Sequence, residues 1–289
     1  MNFRTDLAIE KEEFITSNKA KGIIKKRKTT EKTRVTEIEI TDKASEEKIG
    51  KPMGKYITVE MDELSYDSEL LDDRLNSIKA EIIKLLPEKE GTVLVAGIGN
   101  ESITPDALGP KCAKLIFSTR HIDSNLKQEM GLEELNPVCA LATGVLGQTG
   151  IETGEIIKSV VNAVKPKAVI VIDALAAAGL NRLGKTVQLT DTGITPGSGV
   201  GNSRAEINEK TLGVPVIAIG VPTVVDAITL TKDITKAAEF NRDSAETENM
   251  IVTPREIDTV IERAARLLAL AINCALQPET DPELLLSVV

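Results

Sequence analysis

The sequence predicts an α/β fold: a three-layer core with a mostly parallel sheet covered by helices on both faces, plus an N-terminal antiparallel β segment. Three observations carry that expectation. From Thr92 onward, short apolar runs alternate with amphipathic stretches, as strands buried on both faces do when helices connect them. Ahead of that point, two segments alternate apolar and polar residues with a period of two, the pattern of half-buried antiparallel strands. At 289 residues, 42% of them hydrophobic, the chain is long and apolar enough for a sizeable core.

The first thirty residues are polar and are expected to be extended and loosely held. Residues 33–41 and 56–61 then supply the alternating pair. Leu70, Leu71, Leu75, Ile78, Ile82 and Leu86 recur at helical spacing and stop at Pro87, which predicts an amphipathic helix from Ser68 to Leu86. Strands are expected at 92–97, 137–142, 167–174, 186–190 and 214–221, with helices at 106–118, 153–164 and 224–232. Residues 239–249 are polar enough for a surface loop. Thr253, Pro254 and Glu256 stand as N-cap, first-position proline and capping-box acid of a last long helix, 254–276. Residues 277–289 form a tail whose Leu284, Leu285 and Leu286 are expected to dock on the core or on another subunit. The organisation read from this is an N-terminal segment (1–30), a single α/β domain (31–276) with a β-rich addition at 33–62, and the C-terminal tail.

Composition excludes several function classes. A net charge of −9, no Trp and 2% aromatic residues leave neither a basic face nor stacking platforms for nucleic acid. The run Lys25-Lys26-Arg27-Lys28 reads as a solvated stretch. No membrane span is expected, and the N-terminus lacks a basic region followed by an apolar one, so the chain is expected to stay in the cell. Cys112, Cys139 and Cys274 form no C-x-x-C pair and read as small buried hydrophobes rather than zinc ligands.

Two acids stand out by position. The strand at 92–97 leads to Asp106, and the apolar strand Ala168 to Ile172 ends at Asp173. In open α/β sheets the ligand crevice lies beyond the carboxyl ends of the strands, so both carboxylates are expected at one cleft. Asp106 has a second reading, an acid in the first turn of a helix after Thr104-Pro105. Asp173 is harder to explain that way, since a carboxylate closing an apolar strand is costly unless it faces the crevice. Gly97-Ile98-Gly99 does not complete a dinucleotide fingerprint, because Ser102 takes the third glycine's place. Asp191-Thr192-Gly193 matches the tripeptide of all-β aspartic proteases, but in this α/β chain it reads as a turn lining the cleft. Ser198 lacks a nucleophile elbow, and His121 is the chain's one histidine, so a Ser-His-Asp hydrolase is not expected.

Five motifs in order, Arg4-Thr5-Asp6-Leu7-Ala8, Gly97-Ile98-Gly99-Asn100, Thr104-Pro105-Asp106-Ala107-Leu108-Gly109-Pro110, Ile172-Asp173-Ala174-Leu175-Ala176-Ala177 and Gly197-Ser198-Gly199-Val200-Gly201-Asn202, resemble the germination proteases of spore-forming Firmicutes. The resemblance implies an endopeptidase of the forespore and spore core that degrades small acid-soluble spore proteins at germination. It also implies a homotetrameric zymogen activated by removal of a short propeptide. The family's catalytic aspartates carry over to Asp106 and Asp173. Asp6-Leu7-Ala8-Ile9-Glu10 resembles the family's cleavage pattern, which places self-cleavage between Asp6 and Leu7.

The related hydrogenase-maturation peptidases hold a metal with help from a histidine, and no histidine follows Asp173 here. That favours a metal-free aspartic mechanism with no cofactor, in which the acid pair shares one proton. Backbone N–H groups at Gly97, Gly99 and Asn100, or in the loop of Gly197, Ser198, Gly199 and Asn202, are candidates to stabilise an oxyanion. A metal-dependent peptidase and a non-catalytic peptide-binding protein are the alternative readings.

Overall fold

The computed structural model describes residues 5–15, 22–62, 64, 69–130, 132–201, 204–235, 250–287 and 289. Among the described residues, nine strands form one mixed sheet: β1 (Ile23–Thr29), β2 (Thr33–Ile40), β3 (Gly54–Met61), β4 (Val93–Gly97), β5 (Val138–Ala142), β6 (Ala168–Ala177), β7 (Thr186–Thr190), β8 (Val216–Asp226) and β9 (Ile251–Val252). The helices are α1 (Ala8–Ile15), α2 (Lys43–Ile49), α3 (Asp73–Leu85), α4 (Leu108–Lys114), α5 (Ser124–Met130), α6 (Leu146–Thr149), α7 (Thr153–Val164), α8 (Glu209–Leu212), α9 (Ala227–Thr235), α10 (Ile257–Leu276) and α11 (Pro282–Leu286).

Across the sheet the order is β1-β2-β3-β7-β8-β6-β4-β5, with β9 paired to β8. The neighbours β5-β4-β6-β8 are parallel; β7 joins β8 antiparallel and hands the sheet on to the antiparallel β3, β2 and β1. The expected β-rich addition and the parallel core therefore share one continuous sheet. Side chains alternate faces along each strand. Val93 and Val95 join Ile170, Ile172, Ile217 and Ile219 under α3, α4 and α10, whereas Leu94 and Ala96 face Ile157 and Val161 of α7 with Val169 and Val171. The apolar strands are sandwiched because helices cover both faces.

Several boundaries differ from expectation for physical reasons. Residues 5–15 of the N-terminal segment are not loosely held: Leu7, Ala8 and Ile9 are buried with Ile38, Ile40 and Tyr56. The lysine-rich run lies on edge strand β1, exposed along most of its length, where Lys25 pairs with Glu12 and Lys26 with Glu37. Helix α3 starts at Asp73 rather than Ser68, because Asp72 caps it by accepting the Arg74 N–H at 2.8 Å. The helix expected over 106–118 is a single 3-10 turn, Thr104–Asp106, followed by α4. Strand β8 runs on to Asp226, so the next helix begins at Ala227, not Val224. The polar loop at 239–249 lies outside the described residues. The tail docks on the core through Leu285, which is buried, while Leu284 is exposed.

Candidate active site

The parallel strands do not all end together, and that offset builds the site. β4 stops at Gly97, level with Ile172, but β6 and β8 remain paired through Ala177 and Val225. Asp173 is thus the first residue of β6 to project past β4. It lies within a strand, opposite Gly220, rather than at a strand's end as the sequence had indicated.

Asp106 reaches the same place from the other direction. Gly97 and Gly109 let the start of α4 close on the strand ends, since a Cβ on Gly97 would lie 2.1 Å from the Gly109 carbonyl oxygen. The turn Thr104–Asp106 then packs against β6, β8 and α10. The Asp106 carboxylate accepts the Asn100 N–H at 2.7 Å, so it orients the loop after β4 rather than capping α4.

Asp106 and Asp173 line one cavity of about 390 Å³, walled by Ile98, Gly99, Asn100, Gly197 and Gly199 and rimmed by Ile103, Leu146 and Ile251. Burial raises the carboxyl pKa of Asp106, with the Asn100 N–H opposing. Asp173 lies well above the usual carboxylate range: burial is the largest cause, the charges of Asp106 and Asp6 add to it, and the Ala174 N–H opposes it. Two acids of one cavity, both with raised proton affinity and one of them raised in part by the charge of the other, are equipped for proton transfer.

Asp6 is a third acid in this wall. Its backbone N–H donates to the Ala176 carbonyl at 2.9 Å, and its carboxylate accepts the Ala176 N–H at 2.9 Å and the Ser198 hydroxyl at 2.7 Å. The Gln188 amide donates to the Asp6 carbonyl at 3.1 Å, and the Ala8 N–H donates back to Gln188 at 2.9 Å. Four residues on, the buried Glu10 carboxylate accepts the N–H groups of Ala178 (2.7 Å) and Gly179 (3.1 Å) and lies 3.7 Å from Arg182. Residues 5–10 are therefore fastened along the extension of β6.

The remaining candidates separate. Gly97 is a ladder residue of β4 and does not line the cavity, and Ser198 faces a neighbouring cavity. Asn202 lies outside the described residues. Asp191 is exposed and accepts the Lys55 N–H at 2.8 Å, away from both acids. His121 is exposed. Cys112 and Cys274 are buried and Cys139 is half-buried, all three free. Among the described residues, no group of three or more His, Cys, Asp or Glu is arranged to hold a metal ion, and no helix is long and apolar enough to cross a membrane. Lys51 and Arg182, beside Asp6 and Glu10, carried no signal in the sequence, since their partners are distant along the chain.

The family model described as germination protease matches residues 4–248. This chain belongs to the germination protease family. It is 42% identical over 313 aligned positions to the germination protease of Clostridium perfringens strain ATCC 13124, covering 96% of each chain. With that of Clostridium tetani it shares 40% over 317 positions and 98% of each chain, and with that of a Geobacillus species 35% over 355 positions, covering 97% of this chain and 95% of the relative. Among solved structures, a NiFe hydrogenase maturation protease, HycI, from Thermococcus kodakarensis aligns with a TM-score of 0.37 and 19% identity, over 66% of this chain and 98% of that one. The protein is an endopeptidase, and the cavity at Asp106 and Asp173 is its candidate active site.

Proposed function

We propose that this endopeptidase degrades small acid-soluble spore proteins in the germinating spore, with Asp106 and Asp173 as an aspartic-type catalytic pair. The observation that supports the pair is their shared cavity, in which the charge of Asp106 helps to raise the pKa of Asp173. One proton serves both acids. The ionised member takes a proton from a water molecule, whose oxygen attacks the carbonyl carbon of the scissile peptide. The protonated member gives its proton to the carbonyl oxygen, and collapse of the tetrahedral intermediate sends a proton to the leaving amine. Gly99, Gly197 and Gly199 line this cavity, and their N–H groups are proposed as oxyanion donors, while that of Asn100 is engaged by Asp106.

Replacing Asp106 or Asp173 singly with Asn tests this reading. Loss of a general acid or base costs about 10²–10⁴-fold in rate, so turnover of a spore-protein substrate should fall at least a hundredfold. Turnover within a few-fold of the unaltered enzyme in either variant would overturn it.

The same reading extends to maturation and assembly. The chain is a zymogen that cuts itself between Asp6 and Leu7, and the presence of Asp6 in the wall of the catalytic cavity supports this. Mass spectrometry of the active enzyme should show loss of residues 1–6; activity from a chain with its N-terminus intact would remove the idea. A homotetramer is proposed from the resemblance to the family, and sedimentation equilibrium tests it.

A further inference from the structure

Gln188 grips the main chain on both sides of the Asp6–Leu7 bond. Its amide N–H donates to the Asp6 carbonyl at 3.1 Å, and its amide oxygen accepts the Ala8 N–H at 2.9 Å. Together the two contacts decide which way the amide faces, because the flipped side chain would set N–H against N–H and oxygen against oxygen. Gln188 is only 6% exposed, so both bonds are made largely out of water, where a hydrogen bond is electrostatically stronger. Leu7, between the two contacts, is fully buried.

The sheet relates this amide to the acid pair. On β7, Gln188 stands opposite Gly220 of β8, and Gly220 stands opposite Asp173 of β6. Residues opposite one another share a face of the sheet, so Gln188 and Asp173 rise from the same face with a residue lacking a side chain between them. Two strand spacings, about 10 Å, separate their backbones. Asp6 bridges the gap: it lines the cavity of Asp106 and Asp173 and also a second one, of about 260 Å³, that Gln188 lines.

We infer that Gln188 is a catalytic residue of this peptidase, whose amide N–H polarises the carbonyl of the bond being cut and stabilises its oxygen as the tetrahedral intermediate forms. The inference rests on the self-cleavage reading, in which the carbonyl that Gln188 holds is the scissile one. That oxygen has two lone pairs; the acid pair protonates one and the Gln188 N–H meets the other. Gln188 keeps its own proton, so the proton count of the acid pair is unchanged. A neutral amide donates without adding charge beside the two carboxyl groups, and the Ala8 N–H, on its other end, keeps the donor turned toward the carbonyl. Both contacts are to main chain, so they serve the bond rather than select its side chains.

The rate at which the purified full-length chain loses residues 1–6, followed by mass spectrometry, provides the test. Removing one such donor costs about 10²–10³-fold in rate, so Gln188→Met should slow the loss at least a hundredfold. Amide-exchange protection over residues 8–15 should stay within threefold, which shows the segment still seated while the chemistry fails. Gln188→Glu, which keeps the acceptor and loses the donor, should be slowed as much, and it is the reading used if Gln188→Met fails to fold. A loss of rate below tenfold, or a loss accompanied by collapse of that protection in both variants, would overturn the inference. Failure here is separable from failure of the readings beneath it. If Asp106→Asn and Asp173→Asn stop the cleavage while Gln188→Met does not, only the role of Gln188 is wrong; if those two variants still cleave, the acid pair is wrong. A cut at another bond in the unaltered chain removes the self-cleavage reading, and the role of Gln188 falls with it.

Discussion

Gly99→Ala is the sharpest perturbation of the site that replaces neither acid. Gly99 has φ +122°, and a Cβ built there would lie 2.0 Å from the Asp106 carbonyl oxygen and 3.2 Å from one of its carboxylate oxygens. The first contact is with backbone, which cannot rotate away. Holding a residue other than glycine in such a conformation costs about 1–3 kcal/mol, and forcing atoms into a closed space costs about 1–3 kcal/mol more. A destabilisation of about 2–6 kcal/mol follows. The same displacement moves the Asn100 N–H that holds the Asp106 carboxylate at 2.7 Å, and misplacement of a reacting group by about 1 Å is enough to lose roughly a hundredfold in rate. Urea unfolding reports the first effect through a lower midpoint at constant slope, and peptide turnover in the folded fraction reports the second. Gly147 is the control for the stability effect, since it sits in α6 with open space where a Cβ would be built. Gly147→Ala should be neutral or stabilise by up to about 1 kcal/mol. If Gly99→Ala stays within about 0.5 kcal/mol of the unaltered protein and keeps its turnover, the account of how Asp106 is positioned is wrong.

Because the folded-state pKa of Asp173 is raised, its contribution to stability is fully present below the unfolded value of about 3.9 and is lost as pH rises through the folded value. Asp173→Asn removes that loss, so the variant should gain stability relative to the unaltered protein as pH rises above about 4; a difference that does not change with pH would contradict the raised pKa. Leu268 in α10 is fully buried, and Leu268→Ala should cost about 2–5 kcal/mol in denaturant unfolding. Ile83→Ala, at a position 45% exposed, should cost far less. Glu10→Gln weakens the hold of Ala178, Gly179 and Arg182 on the N-terminal segment. Its loss of a charged acceptor should lower the opening free energy of α1 by about 1–3 kcal/mol, read as faster amide exchange over residues 8–15; unchanged protection would show that the apolar contacts of Leu7 and Ile9 suffice.

What the sequence made legible is what local pattern encodes. The apolar runs of β4, β6 and β8 and the 3.6-residue repeats of α3, α7 and α10 are each visible within a dozen residues. Asp173 stands out in the sequence because a carboxylate closing an apolar strand has few inexpensive places to be, and Asp106 because the strand at 92–97 leads to it. Helix α2 was missed because Lys43–Ile49 is polar and buries only Ser45 and Ile49. The continuation of β6 and β8 was missed because each justifies the other: Ala174 to Ala177 stay extended only while Val221 to Val225 pair with them. The surroundings of Asp6 were illegible for the same reason, since residues 6, 51, 176 and 198 meet only in the folded molecule. Segment 8–15 has little helical patterning of its own and is helical where its apolar side seats against β2 and β3.

The two acids are mounted on unequal foundations. Asp173 is stitched into a ten-residue strand at the middle of the sheet, whereas Asp106 rides on a three-residue turn anchored by the Ile103 and Asn100 backbone. A sheet centre transmits strain and a short turn absorbs it. Any adjustment of the gap between the carboxyl groups when a polypeptide enters must therefore be made by the turn, with the strand serving as the fixed jaw of the vice.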